Sequence, residues 1–197
     1  MPGDESERWR VFLAIEIPDR VREALREPLG ALQPLHEPIR INPSERMHLT
    51  LHFLGHLARP VVVQLESDLA GVVSRHRRFG LLAQGVGAFP VIARPRVLWA
   101  GITGEDLPRL NALQAELGDA LRATGVTVEG ERFHPHLTLG RVRRPLKAPE
   151  RAVLREWSSR WLTETFGEVP VAGVRLMRSQ LGGGPPRYTT LATFDLQ

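Results

Sequence analysis

The tetrapeptide His-Leu-Thr-Leu occurs twice, at residues 48–51 and 136–139. Both copies lie where apolar and polar residues alternate. Met47, Leu49, Leu51 and Phe53 are apolar, and His48, Thr50 and His52 between them are polar. Around the second copy, Leu137 and Leu139 alternate with His134, His136 and Thr138. A period of two marks a half-buried β-strand. A strand points residues i and i+2 to the same side, so each copy presents an imidazole beside a hydroxyl. The same alternation puts His52 and His134 in these polar rows. It aims Arg141 the other way, unless the strand bulges near Gly140, which a glycine permits. A repeated tetrapeptide is weak support by itself, with a chance probability on the order of one half. Its weight comes from where the copies fall.

The pattern along the chain is roughly β-α-β-α-β followed by β-α-β-α-β-β. Strands are predicted over residues 9–17, 47–54, 79–89, 96–102, 134–142, 169–177 and 188–196, with a short extended piece at 126–128. Helices are predicted from Asp19 to about Leu32 and over 60–75, 107–123 and 150–162, each with apolar residues at helical spacing. Each half then holds one His-x-Thr strand and two helices. The halves share little identity outside the tetrapeptide, and no shift of composition marks a linker. One unit of two lobes, spanning residues 1–197, is expected.

Composition removes several classes of chemistry. The chain has no cysteine, which excludes disulfides, thiolate catalysis and Cys-ligated metals and fits a reducing compartment. The polar, acidic start, residues 1–8, lacks the pattern of a signal peptide. No apolar run is long enough to span a bilayer, so a cytoplasmic protein without membrane contact is expected. The net charge of +4 allows a polyanionic partner without demanding one. All of the 26 basic residues except Lys147 are arginine, whose planar fork matches phosphate oxygens.

Two histidines and two hydroxyls around one volume suit in-line displacement at phosphorus. A neutral imidazole takes a proton from the nucleophile and an imidazolium gives one to the leaving oxygen. Thr50 and Thr138 can donate to the non-bridging oxygens, and an arginine can add full charge. A metal is the competing reading, because His48, His52 and His56 recur at a spacing that would align them on a helix. The strand alternation and Gly55 oppose that helix, and neither motif contains Asp or Glu ligands. No metal or other cofactor is expected.

These residues resemble those of the two-histidine (2H) phosphoesterases, in particular the RNA 2′,3′-cyclic phosphodiesterase branch, also called 2′-5′ RNA ligase. The resemblance covers nearly the whole chain: residues 10–18 as first strand, 47–55 and 133–141 as the two motifs, 96–102, and the ending around Ser179 and Tyr188. It implies an α+β fold of two pseudo-twofold-related α/β lobes with antiparallel sheets lining a central cleft. It implies hydrolysis of RNA 2′,3′-cyclic phosphate ends to 2′-phosphomonoesters without metal, and a possible reverse 2′-5′ ligation. His48 and His136 are then the acid/base pair, and Thr50, Thr138 and Arg141 the phosphate-binding residues. The expected partners are RNA with cyclic phosphate ends or cyclic nucleotides, with no obligate protein partner and a monomeric chain.

Other residues carry weaker expectations. His52, His134, Phe133 and Tyr188 are candidates for lining the cleft. His36, His56 and His76 are expected at the surface, and Phe53, Trp99, Trp157 and Trp161 in the core. Arg143, Arg144 and Lys147 form a basic patch beside the second motif that could hold the RNA backbone beyond the scissile phosphate. Gly182-Gly183-Gly184 reads as a connection between strands, since a phosphate loop would need a following Lys-Ser/Thr. Two other functions remain open: a phosphodiesterase for another small cyclic phosphate, and a phosphate-binding module without turnover. Paired proton carriers argue against the latter.

Overall fold

The computed structural model describes residues 7–128, 133–182 and 184–197. In chain order the elements are β1 (Arg8–Glu16), α1 (Asp19–Ala24), α2 (Arg26–Gly30), β2 (Ile39–Ile41), β3 (His48–Ala58), α3 (Arg59–Val73), β4 (Phe79–Val91) and β5 (Arg94–Thr103). They continue as α4 (Leu107–Ala123), β6 (His136–Val142), α5 (Ala148–Trp161), β7 (Thr165–Val171), β8 (Gly173–Gly182) and β9 (Gly184–Asp195). The fold is α+β. Eight strands follow one another as β7-β4-β5-β6-β3-β1-β8-β9, and β2 pairs with β6 beside that path. Every pairing is antiparallel.

The order is symmetric about β3 and β6. Four strands lie on either side of that junction, and a single residue pair, Leu49 opposite Leu137, joins the two sets. Both leucines are fully buried. Burying each contributes about 1.5–3 kcal/mol, so the motif leucines anchor the strands that carry the histidines.

The lobes are not the two halves of the sequence, contrary to expectation. β4 leaves the first half to pair with β5 and β7. β8 returns from the far end of the chain to cover the open edge of β1. Helix α4 packs with α3 on the β1–β3 side, while α1 lies against β7. Neither lobe is therefore a continuous segment. Helix burial follows the sequence pattern: Leu110, Leu113, Leu117 and Leu121 of α4, and Leu154, Trp157 and Trp161 of α5, face the core. The Trp157 indole N–H donates to the Pro28 carbonyl at 2.8 Å.

Local differences from the sequence reading have local causes. The single helix expected to about Leu32 breaks at Leu25 into α1 and α2, because Pro28 has no N–H for an intrahelical bond, and a 3₁₀ turn follows at Gln33–Leu35. Residues 126–128 are not a strand. Gly125, at φ 79°, turns the chain so that the Val126 N–H closes on the Leu121 carbonyl at the end of α4. Residues 169–177 belong to two strands, β7 and β8, rather than one. In the glycine run, Gly182 pairs with Gly184 across the β8–β9 connection, and Gly183 lies outside the described residues. Residues 1–6 also lie outside them. Among the described residues, no helix is long and apolar enough to cross a membrane.

Two glycines separate the cost of a left-handed backbone from the cost of a clash. Gly55 has φ 68° and open space where a Cβ would stand. Gly85 has φ 70°, but a Cβ there would meet the Leu162 carbonyl oxygen at 2.5 Å. Gly55→Ala should lower stability by about 1–2 kcal/mol, the left-handed penalty alone. Gly85→Ala should cost roughly 1–3 kcal/mol more, because backbone must move as well. Urea unfolding of the two variants measures the difference, and equal losses would contradict the packing described for β4.

Candidate active site

Pairing of Leu49 with Leu137 in antiparallel register sets His48 across from Thr138 and Thr50 across from His136. Directly opposed side chains have Cβ atoms about 4.5–5.5 Å apart, and diagonal ones about 7–8 Å. The two imidazoles thus lie diagonally on one face, each beside the other strand's threonine.

Beyond each threonine the strand departs from strict alternation. On β3, Thr50 pairs with Ala14 but His52 pairs with Leu13, so Leu51 is an extra residue in the strand. On β6, Thr138 pairs with Trp99 but Gly140 pairs with Leu98, so Leu139 is extra. A bulge reverses the parity of everything beyond it. The same bulge in both motifs has three consequences. Arg141 turns onto the face of Thr138 and lines the cleft. Phe53, the corresponding residue of the first motif, also turns into the cleft and is 40% exposed rather than core. His52 turns away from the cleft, and is only 7% exposed against α4. One of its ring nitrogens lies 2.7 Å from the Gln114 carbonyl, and Gly118 gives the ring room. Burial lowers the His52 pKa, opposed by that hydrogen bond.

A cleft of about 930 Å³ runs over this face. Its walls include His48, Thr50, Thr138, Arg141, Phe12, Phe53 and Tyr188. His136 stands beside it, paired with Gly101 of β5 and edge-on to Phe89 at 5.0 Å. Of the remaining sequence candidates, Tyr188 lines the cleft, whereas His134 is exposed outside it and Phe133 packs against the core. Trp99 is half-buried on the concave face next to Thr138, over Gly87, rather than in the core; Trp157 and Trp161 are buried. His56 is exposed.

The two histidines are oriented in the same way. His48 Nδ1 lies 2.9 Å from the Arg46 carbonyl, and His136 Nδ1 lies 2.7 Å from the His134 carbonyl, each acceptor two residues upstream. A carbonyl can only accept, so each Nδ1 carries the proton and each Nε2 is left to exchange one. Burial lowers the pKa of His48, partly opposed by its hydrogen bond to Arg46. Burial also lowers that of His136, opposed by the hydrogen bond to His134; the positive charge of Arg141 and then that of His134 lower it further.

Their surroundings differ. The His48 ring stacks on Phe12 at 4.8 Å and meets Tyr188 edge-on at 5.2 Å. Where the second motif has Arg141, the first has Phe53. Beyond the histidines, Arg10, Arg40, Arg46 and Arg143 join Arg141 in the walls, and among the described residues no carboxylate does. Arg144 is not part of this set. It pairs with Glu37 at 2.6 Å and Glu150 at 2.8 Å. Glu150, held down to about 2 by Arg144, also accepts the Lys147 N–H at the start of α5. Among the described residues, no group of three or more His, Asp or Glu could hold a metal ion.

Sequence and fold both match known proteins. Residues 18–183 match the model of the 2′-5′ RNA ligase superfamily. A protein of Archaeoglobus fulgidus named RNA 2′,3′-cyclic phosphodiesterase is 34% identical over 187 residues, covering 94% of this chain and 99% of that one. An Aeropyrum pernix protein of the same name is 34% identical over 155 residues, covering 78% and 84%. Among solved structures, E. coli LigT complexed with 3′-AMP superposes with a TM-score of 0.75 at 28% identity, covering 96% of this chain and 99% of that one. A Thermus thermophilus protein gives 0.72 at 30% identity, covering 94% and 97%.

Both site histidines should be neutral at pH 7.5 with the proton on Nδ1, and should titrate below the ordinary value of about 6.5. Arg141→Gln should raise the His136 pKa and leave that of His48 nearly unchanged. Long-range ¹H–¹⁵N spectra recorded against pH measure all three. Titration of either ring above 6.5 in the unliganded protein would contradict the burial described.

Proposed function

Because the chain belongs to the 2′-5′ RNA ligase superfamily, we propose that it hydrolyses RNA 2′,3′-cyclic phosphate ends to 2′-phosphomonoesters by a metal-independent exchange of protons between His48 and His136. The observation that carries this reading is the junction of the lobes. It sets two Nδ1-protonated imidazoles diagonally across one face, each beside a threonine, with Arg141 turned in by a bulge. Names of relatives as RNA 2′,3′-cyclic phosphodiesterases agree with it. The chain acts as one unit, since its elements cross between the lobes.

In the proposed reaction water attacks phosphorus, the bond from phosphorus to the ribose 3′-oxygen breaks, and the 2′ bond survives. His136 takes the proton of the water and His48 gives its proton to the leaving 3′-oxygen. Thr50, Thr138 and Arg141 hold the non-bridging oxygens as charge builds on them. The surroundings support this assignment of roles. Burial opposes a proton on either ring, but Arg141 adds a penalty at His136 alone. The Phe12 face favours a cation at His48. The family name also describes joining of RNA ends through a 2′-5′ linkage, which needs the same proton exchange with a ribose 5′-hydroxyl in place of water. A non-catalytic phosphate-binding module would have no use for two imidazoles held in matching tautomers.

Either His48→Ala or His136→Ala should lower turnover by at least about a hundredfold with the fold intact. A substrate with sulfur in place of the bridging 3′-oxygen leaves as a thiolate and needs little help from an acid. It should restore much of the loss in His48→Ala and little in His136→Ala. Rescue of His136→Ala instead would reverse the roles, and near-wild-type turnover in either variant would end the scheme. The active form holds one proton on the pair, and both free pKa values are lowered. The maximum of kcat/KM should therefore lie below pH 6.5, and that of kcat should lie higher, because bound phosphate favours the imidazolium.

A further inference from the structure

We propose that Arg40 and Arg143 form a subsite for the phosphodiester preceding the terminal nucleotide, so that the enzyme selects oligonucleotides with cyclic ends over cyclic mononucleotides. This rests on the reading of the site as a cyclic phosphodiesterase.

The first reason is charge. A cyclic phosphodiester carries a single negative charge, and Arg141 beside the two threonines answers it. The cleft nevertheless holds Arg10, Arg40, Arg46 and Arg143 as well, with no carboxylate in its walls among the described residues. Among the described residues, none of these five arginines is in an ion pair. Arg144, next in sequence to Arg143, has two carboxylate partners and lies outside the cleft. Five arginines without a carboxylate partner among the described residues are therefore gathered in one cleft.

The second reason is register. Strand β2 is three residues long and pairs only with β6, placing Arg40 directly across from Arg141. Like charges in that position are destabilising unless an anion lies between or beside them. Arg143 stands two residues beyond Arg141. Its N–H donates to the Pro38 carbonyl at 2.8 Å, which ties the end of β6 to the start of β2. Arg40 and Arg141 thus stand side by side at one end of the cleft, and Arg143 lies beyond them, further from the histidines. Arg10 lies at the other end, across from His56 on β3.

The third reason is an unmet hydrogen bond. Arg46 Nη1 is buried and has no partner among the described residues, although Arg46 lines this same end of the cleft. A buried donor without an acceptor is costly, and a phosphate oxygen entering here would supply one.

The test compares a 2′,3′-cyclic mononucleotide with a trinucleotide ending in the same cyclic phosphate. For the wild type, kcat/KM should be at least about tenfold higher for the trinucleotide. The double variant Arg40→Gln/Arg143→Gln should lower that preference at least tenfold. It should also flatten the dependence of log kcat/KM on log salt by about 1–2 for the trinucleotide. Turnover of both substrates with the preference unchanged in the variant would overturn the subsite alone. Absence of turnover on either substrate by the wild type would overturn the subsite together with the phosphodiesterase reading.

Discussion

The pairing of Leu49 with Leu137 is the contact on which the rest of the site depends. It joins the two lobes through one residue pair, and both side chains are fully buried. Its register leaves no choice about the neighbours: His48 meets Thr138 and Thr50 meets His136. A slip of one residue in either strand would turn that strand's polar row into the core and its leucine into the cleft. The hydrophobic term that holds the lobes together therefore also sets the geometry of the polar groups. No separate device is needed to bring two distant histidines together.

The repeated bulge is the second constraint. An extra residue after each threonine sends Phe53 into the cleft on one side and Arg141 on the other. Symmetric backbone thus delivers unlike side chains. The Arg141 side gains a cation that disfavours a second positive charge at His136. On the other side, Phe12, Phe53 and Tyr188 surround or adjoin His48 with aromatic faces. In the proposed mechanism, this one pair of differing residues gives a near-symmetric scaffold its direction of proton flow.

The sequence made the strands and their polar rows legible because alternation has a period that the core enforces. His48, Thr50, His136 and Thr138 lie on the face their spacing indicates. His52 and Phe53 exchange the faces that simple alternation gives them, because a bulge at Leu51 leaves no mark in composition. Arg141 differs only in that Gly140 hints at a break nearby; the bulge itself falls one residue earlier, at Leu139. Lobe membership was hidden for another reason. Sheet partners such as β1 and β8 are chosen by which edge is open, not by closeness in sequence. Arg40 and Arg46 are not legible in the sequence, because an isolated arginine in a proline-rich stretch carries no periodic signal. The basic patch read at residues 143, 144 and 147 divides in the fold: Arg143 reaches the cleft, while Arg144 and the Lys147 N–H are taken up by Glu150.

The proposed mechanism centres on two imidazoles that would open a cyclic phosphate by breaking the bond to the 3′-oxygen. ³¹P NMR of the product formed from cyclic-phosphate-ended RNA, with EDTA present throughout, tests it most directly. A 2′-phosphomonoester is expected as the only product, formed at an undiminished rate. A 3′-phosphomonoester, or turnover that EDTA abolishes and added metal restores, would contradict it.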